Sequence, residues 1–194
     1  HRSVSRGLGD VYKRQLLIFV IITSLGVNMG VFEWHSGEVP ENLKIKQVYG
    51  ILFSTDGRVL LKCEVKQEGK CYSLAGGKPE PFDDGMEGTL RREVLEEVNC
   101  TIKEPILVGY QEVNEGNGIP AYAQVRMTAI IDKIGKVQPD PDNGKTYERL
   151  LTPPQRAIEL LNWGKEGRLQ IEEAVRVIKE NYKIELKNLK DELV

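Results

Sequence analysis

The chain has 194 residues, with 27 Lys+Arg against 29 Asp+Glu and a formal net charge of -2. Hydrophobic residues make up 40% and charged residues 29%, which argues against disorder and leaves enough apolar surface for one domain core without metal or disulfide staples. The near-neutral balance makes a poor general binder of nucleic acid or of an anionic membrane, so neither partner is expected. Cys63, Cys71 and Cys100 show no close pairing. That pattern argues against a disulfide scaffold or a thiolate zinc site and fits a reducing, cytoplasmic compartment.

Residues 1–15, HRSVSRGLGDVYKRQ, have no apolar period and resemble translated sequencing-adapter DNA. The mostly apolar run LLIFVIITSLGV at 16–27 is shorter than the roughly 20 residues a membrane span needs. Lys13 and Arg14 give it the basic flank of a signal peptide, but no A-x-A cleavage pattern follows. The preferred reading makes Met29 the true start and residues 1–28 upstream translation, with a signal or anchor as the alternative. The expected organisation is then a domain over 29–182 and a charged, peripheral tail over 183–194.

From Ile45 two β-rich runs, KQVYGILFS and VLLKCEV, flank Thr55-Asp56-Gly57, and Asp-Gly is a strong hairpin signal. A short run at Cys71–Leu74 leads into Ala75-Gly76-Gly77. Asp84 with Glu87 reads as a capping box. Met86, Leu90, Val94 and Val98 then form the apolar stripe of a helix that ends at Asn99, a residue tolerant of the left-handed C-cap. An extended stretch at Ile106–Val113, a Gly116-Asn117-Gly118 turn and a strand near Ala121–Ile131 follow. After a Pro/Asp/Gly-rich loop at 135–144, Thr152 is expected to cap a helix with Pro153 in its first turn, running to about Trp163. A last helix is expected from about Leu169 to Tyr182, with Ile171, Val175 and Ile178 on one face. Hairpin strands interleaved with helices predict a single α/β domain with a mixed sheet.

The central helix carries Arg92-Glu93-Val94-Leu95-Glu96-Glu97. Spacing of i, i+3 and i+4 places Glu93, Glu96 and Glu97 along one stripe, away from Leu90, Val94 and Val98. An acidic stripe on an arbitrary helix is usually a solvated face. Here a Gly-Gly turn at a strand end precedes the helix, and carboxylates facing a glycine-lined cleft are relieved by hard divalent cations such as Mg²⁺ or Mn²⁺.

The stretch GGKPEPFDDGMEGTLRREVLEEVNC, Gly76 to Cys100, resembles the signature of the Nudix hydrolase family, G-x5-E-x7-R-E-U-x-E-E-x-G-U with U a bulky aliphatic. Arg92, Glu93, Glu96 and Glu97 fall on the family's positions, Gly77 on its opening glycine, and Glu80 on a Glu often found in the turn. Three departures stand out. Counting back from Arg92 puts Asp84 at the first acidic position with one extra residue after Gly77, Asn99 replaces a glycine, and Cys100 replaces an aliphatic residue.

The resemblance implies an α/β/α sandwich with a mixed sheet. It implies a hydrolase that uses Mg²⁺ or Mn²⁺ to cleave the diphosphate linkage of a nucleoside diphosphate derivative, in the class of ADP-ribose, nucleotide sugars or nucleoside triphosphates. Glu93, Glu96 and Glu97 would be the metal ligands, and Arg92 would orient a ligand carboxylate. Glu97 is the first choice of base, with Glu148 and Glu115, both read as loop residues, as alternatives. Gly77, Arg126 and Arg149 are candidate substrate contacts. Arg126 points either into the cleft or onto a solvated sheet edge, and Tyr147 and Arg149 either meet the substrate or belong to a surface loop. His35, Trp34 and the cysteines read as packing residues. A non-catalytic Nudix-fold nucleotide sensor is the alternative function, and a homodimer remains open.

Overall fold

The computed structural model describes residues 30–116, 118–187 and 189–194. The expectations for residues 1–28 lie outside the described residues. No helix among the described residues is long and apolar enough to cross a membrane.

The strands are β1 (Val31–Ser36), β2 (Lys44–Phe53), β3 (Val59–Lys66), β4 (Gly69–Ser73), β5 (Ala75–Gly77), β6 (Cys100–Ile102), β7 (Ile106–Asn114), β8 (Tyr122–Ile134), β9 (Glu148–Thr152) and β10 (Glu192–Leu193). The helices are α1 (Gly85–Val98), α2 (Pro154–Leu161) and α3 (Gly164–Tyr182). One mixed sheet runs β1-β7-β8-β2-β3-β9-β10, with β4 on β3, β5 on β2 and β6 on β8.

The centre of this sheet is the parallel pair β2 and β8, paired from Lys44/Tyr122 to Phe53/Ile130 with one register shift between Ile45 and Gln47. The second half of β2 and the middle of β8, from Met127 to Ile131, are almost wholly buried because both of their faces are covered. On one face Val48, Leu52, Val125, Met127 and Ala129 pack under Leu90, Val94 and Val98 of α1. On the other, Ile51, Phe53, Val59, Leu61 and Ile130 pack under Ala157 and Leu161 of α2 and Ile171, Ala174 and Ile178 of α3. Each fully buried aliphatic side chain here contributes about 1.5–3 kcal/mol relative to exposure. The expected α/β/α sandwich with a mixed sheet is the observed fold.

Several local expectations are corrected. The Asp-Gly turn exists, with Ser54 N–H donating to Arg58 O at 2.9 Å. Beyond Phe53/Val59, however, β2 and β3 part, because β2 takes β8 and β5 as partners and β3 takes β4 and β9. Asp84 occupies the N-cap position of α1 but makes no side-chain cap hydrogen bond, so the capping box does not form. Thr152 ends β9 rather than capping a helix; its hydroxyl donates to Asp191 at 2.6 Å, and α2 starts at Pro154, behind the N-cap Pro153. Glu148 and Arg149 lie in β9, not in a loop. The tail pairs β10 with β9, and Val194 packs against the core. Cys63 and Cys100 are buried as expected, whereas Cys71 is exposed.

Candidate active site

Two glycines bring α1 against the sheet. Gly76 pairs with Tyr49 across β5 and β2 with φ at +149°, and a Cβ there would stand 2.2 Å from Val48 O. At Gly77 a Cβ would stand 2.3 Å from Glu93 Oε1. The missing side chains let the helix carboxylates reach the strand backbone, and Gly76 N–H donates to Glu97 Oε2 at 2.9 Å. Asn99 closes the helix in the left-handed conformation, with φ 51°, as expected.

Arg92 organises the carboxylates. Its Nε and Nη2 donate to the two oxygens of Asp83 at 2.9 Å each, and Nη2 also donates to Lys78 O at 2.8 Å. Its Nη1 donates to Glu93 Oε1 at 2.9 Å and Glu96 Oε2 at 3.0 Å. The acid that Arg92 selects is therefore Asp83, not Asp84. Counting forward from Gly77 lands on Asp83 and counting back from Arg92 lands on Asp84. The extra residue sits after the acid that Arg92 engages, where Gly85 takes φ +65°.

Glu97 is held from the opposite side by Lys62 of β3, whose ammonium touches its Oε1. Lys62 also lies 4.8 Å from the centre of the Tyr147 ring. Burial pushes the carboxyls of Glu93 and Glu97 up from their ordinary values, against the pull of Arg92 on the first and Lys62 on the second. Arg92 holds the Asp83 carboxyl well below the usual range. Glu93 is only 8% exposed, which removes the reading of a merely solvated stripe.

The structure therefore brings together Gly77, Arg92, Glu93, Glu96 and Glu97. It gives other partners to three of the remaining candidates. Arg149 is buried and donates to the carbonyls of Val194, Val98 and Gly135 at 2.8–3.0 Å, tying the end of α1 to the tail; this corrects its candidacy as a substrate contact. Glu148 pairs with Lys70 at 2.6 Å on an exposed edge, and Glu115 accepts the Tyr122 hydroxyl at 2.9 Å. Arg126 is buried on the face toward α3, not on a solvated edge. A cavity of about 590 Å³ at the start of α1, lined by residues such as Met86, Arg91 and Met127, contains none of the three glutamates.

Sequence reasoning missed Asp83 and Lys62. The first was legible in the two competing counts. The second was signalled only by a lysine inside the apolar run VLLKCEV.

A model of the NUDIX domain matches residues 44–170, well over half of the chain. The chain belongs to the Nudix hydrolase family. No curated protein matches it. Among solved structures, the pyrophosphohydrolase BsRppH of Bacillus subtilis is 24% identical, with a TM-score of 0.46 over 55% of this chain. The chain spans 63% of that protein's length. The ORF135 protein of E. coli is 19% identical, with a TM-score of 0.48 over 73% of this chain and 96% of that one. A MutT protein from Bacillus halodurans is 22% identical, with a TM-score of 0.46 over 64% of this chain and 78% of that one. Membership of the Nudix family rests on the domain match and not on these likenesses.

A metal fits the Nudix helix by donor chemistry and charge. Among the described residues, Asp83, Glu93, Glu96 and Glu97 face only Arg92 and Lys62 as cationic partners, so the cluster keeps negative charge, and its donors are hard oxygens. Among the described residues no three such side chains already stand at ion-holding distances; the carboxylates are engaged by the two cations instead.

Proposed function

We propose that this Nudix protein is a Mg²⁺- or Mn²⁺-dependent hydrolase of the diphosphate linkage in a nucleoside diphosphate derivative such as ADP-ribose, a nucleotide sugar or a nucleoside triphosphate. The observation that carries the reading is the clustering of Glu93, Glu96 and Glu97 against the Gly76-Gly77 strand, with Arg92 bridging two of them. Glu93, Glu96 and Glu97 would hold the ion, which supplies charge neutralisation at the phosphates and a more acidic water. Arg92, fixed by Asp83, keeps the oxygens of Glu93 and Glu96 in place, and Glu97 would exchange Lys62 for the ion on binding. Glu97 is the favoured proton acceptor. Burial raises its affinity for a proton and it stands in the carboxylate cluster, whereas Glu148 and Glu115 lie outside that cluster on Lys70 and Tyr122. Phosphoryl transfer needs mainly positioning and charge stabilisation, which this helix is built to give. The buried Cys63 and Cys100 accord with a reducing, cytoplasmic setting.

The test is release of nucleoside monophosphate or phosphate from a panel of diphosphate compounds, with Mg²⁺ and with EDTA. Metal-dependent turnover that disappears in Glu97→Gln supports the hydrolase. Silence across the panel while a nucleotide still binds would replace it with the sensor.

A further inference from the structure

The sheet face toward α3 is apolar beneath the helices but changes character on three adjacent strands. Gln111 of β7, Gln124 of β8 and Gln47 of β2 stand side by side in register, and the next row is Gly109, Arg126 and Tyr49. Arg126, only 3% exposed, lies at the centre of this polar patch, and no carboxylate pairs with it among the described residues. Its Nε donates to Gln170 Oε1 at 2.7 Å, its Nη2 to Gln111 Oε1 at 3.1 Å, and its Nη1 to the carbonyls of Gln124 and Val125. A guanidinium has no acceptor atoms, so each glutamine it engages must turn its oxygen inward and keep its NH₂ for another partner.

For Gln170 that partner is missing. The residue is 1% exposed, and its Nε2 has no hydrogen-bond partner among the described residues. A buried donor left unmet costs about 1–3 kcal/mol, an expense that a bound acceptor would return. Trp163, two helical turns before Gln170 and exposed, has its ring 5.7 Å from the Arg126 guanidinium. The Tyr49 ring lies 4.8 Å from the same group. An indole at the surface beside an unmet amide donor suits a flat, acceptor-bearing group.

The patch is also tied in register to the carboxylates. Arg126 pairs with Tyr49, Tyr49 pairs with Gly76, and Gly76 donates to Glu97. Two strand spacings put the backbone of Arg126 about 10 Å from that of Gly76, a distance on the scale of one nucleoside.

We infer that Gln170, with Arg126 as the positioning residue behind it, reads a carbonyl oxygen on the base of the substrate, so that the protein prefers oxo-bearing to amino-bearing bases. The donor on offer is a neutral amide, which matches a neutral carbonyl better than a phosphate. This inference rests on the proposed nucleotide substrate.

Inosine and adenosine monophosphate differ at one ring position, oxo against amino, and neither contains a diphosphate linkage. Their binding, measured by calorimetry in EDTA, reads the patch without turnover. We expect the inosine nucleotide to bind about tenfold more tightly. Gln170→Glu keeps an oxygen for Arg126 but removes the donor, and it should abolish or invert the preference in a protein that still folds. Gln170→Met serves as a second variant should that one fail to fold. Equal affinities in the wild type, no binding of either nucleotide at millimolar concentration, or a preference that survives in both variants would each overturn the inference. The two readings fail separately. A protein that prefers the inosine nucleotide yet hydrolyses nothing keeps this site and loses the hydrolase, whereas hydrolysis with the same KM for every base does the reverse.

Discussion

Arg92 and Asp83 meet through two parallel hydrogen bonds of 2.9 Å across the turn that leads into α1. The pair also anchors that turn, because Asp83 Oδ2 accepts the Glu80 N–H at 2.8 Å. The residue that sequence counting favours, Asp84, has no side-chain bond at the helix start.

Asp83→Asn should therefore lower stability by about 1–3 kcal/mol, whereas Asp84→Asn should stay within about 0.5 kcal/mol. The pH dependence has a definite sign. A carboxyl held below its ordinary value contributes fully above that value and loses its contribution as pH falls through the depressed one. The difference in urea midpoint between wild type and Asp83→Asn should be complete at neutral pH and shrink below about pH 4. A difference that grows on acidification would sink this assignment.

The paired glycines separate structural from functional cost. At Gly76 the added carbon meets backbone, Val48 O at 2.2 Å, with φ at +149°. We expect Gly76→Ala to cost more than about 2 kcal/mol in thermal or denaturant unfolding. At Gly77 the added carbon meets the flexible end of Glu93 instead. Gly77→Ala should fold nearly as well as wild type but bind Mn²⁺ roughly tenfold more weakly, since Glu93 must move. Unchanged Mn²⁺ affinity, read by electron paramagnetic resonance, would remove Glu93 from the ligand set.

Lys62 competes for Glu97 with any divalent ion that reaches it. Removing a positive charge beside a ligand carboxylate favours cation binding. Lys62→Met is expected to tighten Mn²⁺ binding roughly tenfold, about 1.4 kcal/mol. Equal affinity in the two proteins would mean that Glu97 is not a ligand.

The three candidate bases can be ranked by kinetics. Glu97→Gln should reduce kcat by about a hundredfold or more, in the range for loss of a general base. Glu148→Gln removes only an exposed ion pair to Lys70, and Glu115→Gln only a bond to Tyr122, so each should stay within a few-fold of wild type. A hundredfold loss in either of those two, with Glu97→Gln active, would transfer the role.

Arg149 closes the end of α1 onto the C-terminal tail through three carbonyls. Arg149→Met leaves those acceptors without their charged donor and should cost about 2–3 kcal/mol of stability. The KM of the folded fraction should not move. A raised KM with an unchanged melting temperature would return Arg149 to the substrate site.

What was legible in the sequence was local. Leu90, Val94 and Val98 on one side of α1, and Glu93, Glu96 and Glu97 on another, follow from the 3.6-residue repeat, and Asn99 from the conformation a helix end requires. The strands β2, β7 and β8 followed from apolar runs between turn residues. The strands β1, β6 and β9 escaped because short or mixed segments become strands only when a neighbour pairs with them. Glu148 and Arg149 read as loop residues for that reason.

The sequence by itself determined the family, the order of carboxylates on α1 and the glycines that admit them, because each depends on contacts within about 20 residues. Only the tertiary structure decided which groups those carboxylates meet. Lys62 reaches Glu97 from 35 residues away, and Gln170 meets Arg126 from 44 residues away. Those encounters are set by the parallel register of β2 with β8 and by the seating of α3 on the sheet. Helix periodicity repeats every few residues and can be read along the chain. The register of distant strands is fixed by burying both faces of the sheet at once, and no short stretch of sequence records it.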